Sequence, residues 1–250
     1  MRSPLITGTL ALLALGVGVG PAHASTTTVP LSAKTTTCTT GADDSERAAT
    51  FTGSMPAASG TQRMQMRFVL VQRLGEKGAY KRVEVPGWGG WQKSDPGRPG
   101  FVFTKRVQAL VAPASYRAQI TFKWLDKKGH TQRTVTRTST PCAQPDPRPD
   151  LTLAGLDIAA TTAGQAAYTV AVTNDGHSAV GLFSVTVTVD GTVQPALTLG
   201  PLDVGERGQG TIAGARCTPG STVTVTVDAQ EAVDESDEAD DVVQRPCQIG

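Results

Sequence analysis

The stretch that decides the fold is FSVTVTV, which runs from Phe183 to Val189. Its apolar residues stand at every second position and alternate with Ser or Thr, and a period of two predicts a strand with one buried face. The same alternation recurs in YTVAVT, Tyr168–Thr173, and in TVTVTV, Thr222–Val227. Asp190-Gly191 follows the first stretch and predicts a hairpin turn. Short strands separated by turn residues over about 100 positions indicate a β-sandwich.

The first half of the chain repeats this pattern less regularly. Strands are predicted at Arg63–Val71 and Phe101–Val107, and a third strand places four apolar residues on one face: Ala118, Ile120, Phe122 and Trp124. Within LVAPASYRAQI, Tyr116 resembles the tyrosine corner of immunoglobulin-like and fibronectin type III domains, whose hydroxyl bonds backbone at a strand crossing. An ordinary half-buried core tyrosine explains this residue equally well. The predicted fold class is all-β, with two immunoglobulin-like β-sandwich domains in tandem.

The N-terminus has the order of a secretory signal peptide. Arg2 supplies a positive charge, Leu10–Val19 is apolar, and Ala22-His23-Ala24 fits a cleavage site. Residues 1–24 are therefore predicted to be a signal peptide, and a short buried helix is the alternative. No later apolar run reaches membrane length, so we expect no membrane span after cleavage. The expected location is secreted or extracellular, including the cell wall.

The four cysteines predict disulfides, because an even number in an exported chain is typical of disulfide bonding. Four cysteines allow three pairings, and none has the C-x-x-C spacing of a zinc or redox site. The wide spacings and the two-domain organisation favour the pairs Cys38–Cys142 and Cys217–Cys247.

The two halves of the chain carry opposite charge. Residues 25–149 hold 19 Lys and Arg against 8 Asp and Glu, a net +11, whereas residues 150–250 hold 3 against 14, a net −11. Three prolines at alternate positions indicate a short, stiff linker between them. The predicted organisation is a basic sandwich at 25–142, a Pro-rich linker at 143–149 and an acidic sandwich at 150–250. Such asymmetry allows salt-sensitive head-to-tail self-association.

Residues 149–247 resemble CARDB, the cell-adhesion-related domain found in bacteria. The resemblance is carried by Pro149-Asp150-Leu151, Val172–Gly176, Phe183–Gly191, Leu199–Gly205 and Val227–Asp241. The family commonly closes with a pattern like V-x-E-S-(N/D)-E-x-N-N, and this chain has VDESDEADD from Val233 to Asp241. Asp replaces the two final Asn residues of that pattern.

The resemblance implies a seven-stranded immunoglobulin-like sandwich in an extracellular setting. The family name implies adhesion, but the family has no generally assigned ligand. The resemblance does not account for Cys217 and Cys247, which we expect to tie the last strands together.

The stretch Asp228–Val242 contains eight acidic residues in fifteen positions. Its favoured interpretation is a solvated hairpin tip whose charges oppose edge pairing. Ca²⁺ binding is an alternative, with four candidate ligands: Asp234, Asp237, Asp240 and Asp241. A third interpretation is that the acidic stretch docks to a basic partner. Apart from Ca²⁺, no cofactor is expected.

The loop Pro86–Gly100 carries two candidate contact residues, Trp88 and Trp91, because exposed tryptophans stack on sugar rings. The favoured alternative is that one or both rings cap the core. Lys127 and Lys128 are predicted at a hairpin tip and are further candidate contacts. The expected partner is a cell-wall polymer, a glycan or a protein, and nucleic acid is not expected.

Enzymatic chemistry has little support in the sequence. The chain after residue 24 keeps only His130 and His177, and the common hydrolase, zinc-protease and nucleotide-binding motifs are absent. We therefore predict a secreted, non-catalytic binding, adhesion or envelope-associated scaffold protein. The alternative is a carbohydrate-binding or inhibitor-like module that uses the Trp88–Trp91 loop.

Overall fold

The computed structural model describes residues 29–75, 77–161 and 164–249. The predicted signal peptide, residues 1–24, lies outside the described residues. Within these ranges the chain forms seventeen strands and no helix, which confirms the all-β prediction. Consequently, no described helix is long and apolar enough to cross a membrane.

Nine strands build the first sandwich. They are β1 (Ser32–Thr39), β2 (Ala48–Pro56), β3 (Arg63–Leu74), β4 (Lys81–Val83), β5 (Trp91–Lys93), β6 (Gly100–Gln108), β7 (Ala114–Leu125), β8 (Thr131–Thr138) and β9 (Cys142–Gln144). One sheet has the order β1-β2-β6. The other has the order β4-β3-β7-β8, with β5 paired to β3 and β9 paired to β7. All pairs are antiparallel.

The first core lies between these two sheets. Its largest fully buried side chains come from β2, β3 and β7: Phe51, Met55, Met64, Met66, Phe68, Leu70, Ile120, Phe122 and Trp124. Gly53 marks a close approach, because a Cβ there would lie 2.8 Å from the Met66 sulfur and 3.2 Å from the Phe68 ring. The indole of Trp124 donates to the Pro56 carbonyl at 2.8 Å, which joins the sheets.

The tyrosine corner is present. The buried Tyr116 hydroxyl donates to the Val111 carbonyl at 3.0 Å and accepts from the Gln72 amide at 2.7 Å. Burial is the main cause that raises the Tyr116 pKa above its ordinary value. The hydroxyl therefore fixes the turn that leads from β6 into β7.

Eight strands build the second sandwich. They are β10 (Leu151–Ala160), β11 (Gln165–Asn174), β12 (Phe183–Val189), β13 (Thr192–Val193), β14 (Leu197–Leu199), β15 (Arg207–Ala215), β16 (Thr222–Thr226) and β17 (Val242–Pro246). One sheet has the order β10-β11-β15. The other has the order β13-β12-β16-β17, with β14 paired to β12.

The apolar residues of the alternating strands form the second core, as predicted. Tyr168, Val170 and Val172 of β11 are fully buried and belong to the same apolar cluster as Val185 and Val187 of β12. The intervening Thr and Ser side chains lie on the outer faces of the strands.

The Asp190-Gly191 turn between β12 and β13 confirms the predicted hairpin. Both residues have positive φ, 48° and 81°, and they join the paired residues Val189 and Thr192. A two-residue turn with positive φ at both positions matches the twist of antiparallel strands.

Both predicted disulfides are confirmed. Cys38–Cys142 spans 104 residues and Cys217–Cys247 spans 30. The strand β9 continues to Gln144, two residues into the segment predicted as linker, because Gln144 pairs with Ala114 and is 1% exposed. The predicted domain boundaries themselves stay a prediction.

The segments that carry the resemblance to CARDB converge at the start of β10. Gly176 lies against the backbone of residues 148–150, where a Cβ would come within 2.5 Å of the Asp150 nitrogen. The buried Asn174 side chain accepts from Asp150 N at 3.3 Å and Gly176 N at 3.2 Å. The Ser236 amide donates to the Pro149 carbonyl at 2.9 Å.

Replacing Tyr116 with Phe should destabilise the first sandwich alone, because the buried hydroxyl and its hydrogen bonds to Gln72 and Val111 are lost. The expected loss is about 1–3 kcal/mol. Tryptophan fluorescence follows this sandwich during urea unfolding, since Trp88, Trp91 and Trp124 all lie in it. Tyr168→Phe is the matched control, because its hydroxyl donates to Ala215 within the second sandwich. A tryptophan transition lowered equally by Tyr168→Phe would contradict independent folding.

Candidate functional sites

The outer face of the six-stranded sheet is strongly basic. Alternation along β3 and β7 turns odd-numbered side chains outward, and the strand register adds neighbours from β4 and β5. We call this surface the cationic face: Arg67, Arg73, Arg82, Lys93, Arg117 and Lys123. None of the six strands contains Asp or Glu. One exposed ion pair at its edge joins Arg82 to Glu84 at 2.9 Å.

Trp91 lies on the cationic face between two positive side chains. The Lys123 ammonium lies 4.3 Å from the ring centroid, and the Arg67 guanidinium lies 5.2 Å from it. The short strand β5 holds the indole in place because Trp91 pairs with Arg67 across the sheet. The sequence predicted a turn-rich loop here, but β5 binds this part of it to β3.

Tyr80 repeats this arrangement further along the sheet. Its ring lies 4.6 Å from the Arg117 guanidinium and 5.3 Å from that of Arg73, and its hydroxyl is 2.8 Å from Ser115 Oγ. Arg73 is six residues beyond Arg67 on β3, so the two aromatic sites are about 20 Å apart along the strand. No sequence pattern pointed to Tyr80, because this residue lies outside any strand and has no alternating pattern around it.

The other predicted contacts lie elsewhere. The Trp88 ring packs edge-on against Phe51 and Phe68, with ring centroids 6.1 and 6.2 Å apart, so it closes the core. Lys127 and Lys128 occupy the exposed turn between β7 and β8 as expected. Asp126 shapes this turn by accepting from the amides of Lys128 and His130.

The acidic stretch, Asp228–Asp241, forms the loop between β16 and β17. We call it the acidic loop. The interpretation as a solvated tip is wrong for three of its carboxylates: Asp228 is 2%, Glu235 0% and Asp241 8% exposed. Hydrogen bonds from the loop amides to Ser184 and Pro149 draw it against the sandwich. Those contacts bury side chains that an isolated hairpin would leave in water.

Three carboxylates of the acidic loop converge. One oxygen each from Glu235, Glu238 and Asp241 lies within 4.8 Å of the other two. A cleft of about 600 Å³ borders this group and is lined by Asp228, Glu238 and Asp241. The cluster is therefore reachable from solvent.

Burial and crowding raise two pKa values in this cluster. Burial is the largest cause for Glu235 and raises its pKa to about 8, while the Leu151 amide opposes the shift. Burial also raises the pKa of Asp241 to about 7, and the nearby Glu238 carboxylate adds to it. The site therefore disfavours negative charge that no cation offsets.

The predicted Ca²⁺ ligands overlap this cluster only in part. Asp241 belongs to it, and Asp240 is half-buried beside it. Asp234 instead pairs with Arg148 at 2.5 Å, and Asp237 accepts from the Ala239 amide at 3.0 Å. Glu235 and Glu238 belong to the acidic stretch, but the sequence did not single them out as ligands, because the loop has no regular period.

Two facing antiparallel sheets, with a tyrosine corner in the first sandwich, are features of immunoglobulin-like β proteins. Residues 148–245 match the CARDB family model, and we call this part of the chain the CARDB domain. The resemblance noted in the sequence is thus confirmed.

Three solved structures are similar to this chain. One is the CARDB domain of the Pyrococcus furiosus PF1109 protein in complex with di-metal ions. It is 25% identical to this chain with a TM-score of 0.35, and the match covers 41% of this chain and 90% of that domain. Red sea bream transglutaminase is 10% identical with a TM-score of 0.31, and the match covers 90% of this chain and 31% of the transglutaminase. The chicken CNTN1 FN1–FN3 domains are 11% identical with a TM-score of 0.23, and the match covers 87% of this chain and 66% of the CNTN1 chain. The curated proteins contain no match to this chain.

In EDTA, the free energy of unfolding of the CARDB domain should fall as pH rises from about 5 to 8. The folded state holds the Glu235 proton up to a pKa of about 8, whereas the unfolded chain releases it near 4.5. Because the folded state binds more protons in this window, it loses stability as they leave, by about 1–3 kcal/mol with partial solvent screening.

Urea unfolding followed by circular dichroism at several pH values measures this slope. The Glu235→Gln variant cannot ionise and should show a flatter profile with higher stability near pH 8. An unchanged slope in this variant would show that other groups cause the pH dependence.

Proposed function

We propose that the protein is a secreted, non-catalytic, adhesion-related protein whose first domain binds an anionic glycan polymer through the cationic face. The observation that carries this proposal is the repeated aromatic–cation arrangement at Trp91 and Tyr80. The CARDB domain supports an adhesion-related role, and the two disulfides are compatible with an extracellular protein.

The chemistry of each aromatic site fits an acidic sugar. The cations that lie over each ring can pair with a carboxylate or phosphate, and the partly exposed ring adds apolar contact area. The two cations beside each ring also repel each other, so an added anion relieves that repulsion. A neutral sugar would leave it in place.

The spacing of the sites favours a polymer over a monosaccharide. An extended chain lying along β3 reaches both Trp91 and Tyr80, which are about 20 Å apart. Two linked contacts raise the apparent affinity because the second forms at a high effective concentration. The strands between them carry no Asp or Glu that would repel the polymer.

The test is binding of polygalacturonate, with neutral dextran as the uncharged comparator. Arg67→Ala/Lys123→Ala should weaken polyanion binding about tenfold, because two charge contacts beside Trp91 are lost. Trp91→Ala should weaken it by a similar factor. Raising salt from about 50 to 500 mM should weaken binding by the wild-type chain.

The matched control is Lys127→Ala/Lys128→Ala, which removes the same charge from an exposed turn. This variant should stay within about twofold of wild type. Equal losses in the two double variants would refute a defined site and indicate unspecific attraction to the net charge. Stronger binding to single-stranded DNA of equal length would instead assign the face to nucleic acid.

The head-to-tail self-association expected from the charge asymmetry stays a prediction. It would compete with polymer binding, since both use the basic half. Sedimentation of the same samples at both salt concentrations separates the two effects, because only self-association changes the sedimenting mass of the free protein.

A further inference from the structure

We infer that the acidic loop is a binding site for a hard divalent cation, with Ca²⁺ as the best-fitting ion, whose ligands are Glu235, Glu238 and Asp241, supported by Asp228. This inference is independent of the proposed polymer binding, which lies in the other domain.

The spacing of the carboxylates matches one ion. Ca²⁺ binds oxygen ligands at about 2.3–2.6 Å, so two ligands of the same ion are at most about 5 Å apart. The three converging oxygens lie within 4.8 Å of one another. Without a cation, like charges at this distance repel each other.

The buried oxygens supply a second, independent observation. Glu235 is completely buried, yet its Oε1 has no hydrogen-bond partner within the described residues. The same holds for Oδ1 of Asp228 and Oδ1 of Asp241. Buried carboxylates in proteins are paired, protonated or bound to metal. Among the described residues, no salt bridge reaches any of these three carboxylates.

Backbone amides from the acidic loop and from the start of β10 position these carboxylates in advance. The Leu151 amide donates to Glu235 Oε2, and the Glu235 amide donates to Glu238 Oε1 at 2.9 Å. The Val233 amide donates to Asp228 Oδ2 at 2.7 Å. In Glu235 and Asp228, one carboxylate oxygen therefore accepts from the backbone, and the other has no partner among the described residues. This division of roles orients a cation site before the ion arrives.

The shape of the site favours Ca²⁺ over Mg²⁺. Ca²⁺ accepts six to eight oxygens in irregular geometry, whereas Mg²⁺ demands a near-ideal octahedron. The bordering cleft and the exposed Glu238 leave room for water to complete an irregular shell. The fully buried Glu235 would bind the ion on the side that faces the protein interior.

The test is calorimetric titration of the full-length chain with Ca²⁺ at neutral pH, with thermal unfolding as a second readout. We expect saturable binding of one ion per chain. At ten times the dissociation constant, the melting temperature of the CARDB domain should rise by about 5–10 °C.

The decisive variants are Glu235→Gln and Asp241→Asn, which keep side-chain shape but remove a charged ligand. Both should lose the Ca²⁺ response. The amide oxygen that Glu235→Gln introduces can still accept from the Leu151 amide, so this variant should fold and melt in EDTA no lower than wild type. That combination separates a lost ligand from a damaged fold.

The matched control is Glu231→Gln/Asp237→Asn, which removes two exposed charges from the same loop and should keep the Ca²⁺ response. The inference is overturned if wild type shows neither heat nor a melting shift up to about 10 mM Ca²⁺. It is equally overturned if Glu235→Gln responds like wild type. An equal response to Mg²⁺ would overturn the assignment to Ca²⁺.

Discussion

Each domain depends on one constraint: the apolar face of one sheet must be covered by the facing sheet. In the second domain, Val185 and Val187 of β12 meet this requirement by packing in one core with Tyr168 of β11. Burying such a side chain contributes about 1.5–3 kcal/mol, so the inner faces determine the register of every strand. The outer faces and the loops are left free to vary in charge.

The two candidate sites use that freedom in opposite ways. The cationic face spreads positive charge over an exposed sheet, where water screens it and aromatic rings lie between the cations. The acidic loop gathers negative charge at one end of the CARDB domain and buries part of it. Burial makes uncompensated charge costly, and it raises the pKa of Glu235 to about 8.

The sequence predicted the features that depend on a regular period or on covalent geometry. Alternation located the main strands, the Asp190-Gly191 turn set a hairpin, and the spacing of four cysteines gave both disulfides. It could not predict contacts that depend on where an irregular loop returns to the sandwich. Glu235 reaches the Leu151 amide across 84 residues, and no local pattern encodes that distance.

The same reason explains the difference between the two predicted tryptophans. Trp88 and Trp91 are three residues apart in one Gly-rich loop, yet one caps the core and the other lies on the outer face. What separates them is the pairing of β5 with β3, which turns Trp91 to the side of Arg67. A pairing of three residues is too short to recognise from composition.

The Cys38–Cys142 bond has a mechanical consequence when tension is applied along the chain. Cys142 begins β9, the last strand of the first domain, and Cys38 lies in β1, the first strand. Tension applied along the chain passes through the covalent bond and bypasses the residues between them. The first domain can therefore transmit force without being unravelled. In the CARDB domain, the bond from Cys217 to Cys247 shields only the last strands, so β10 to β15 must bear the load through hydrogen bonds and packing.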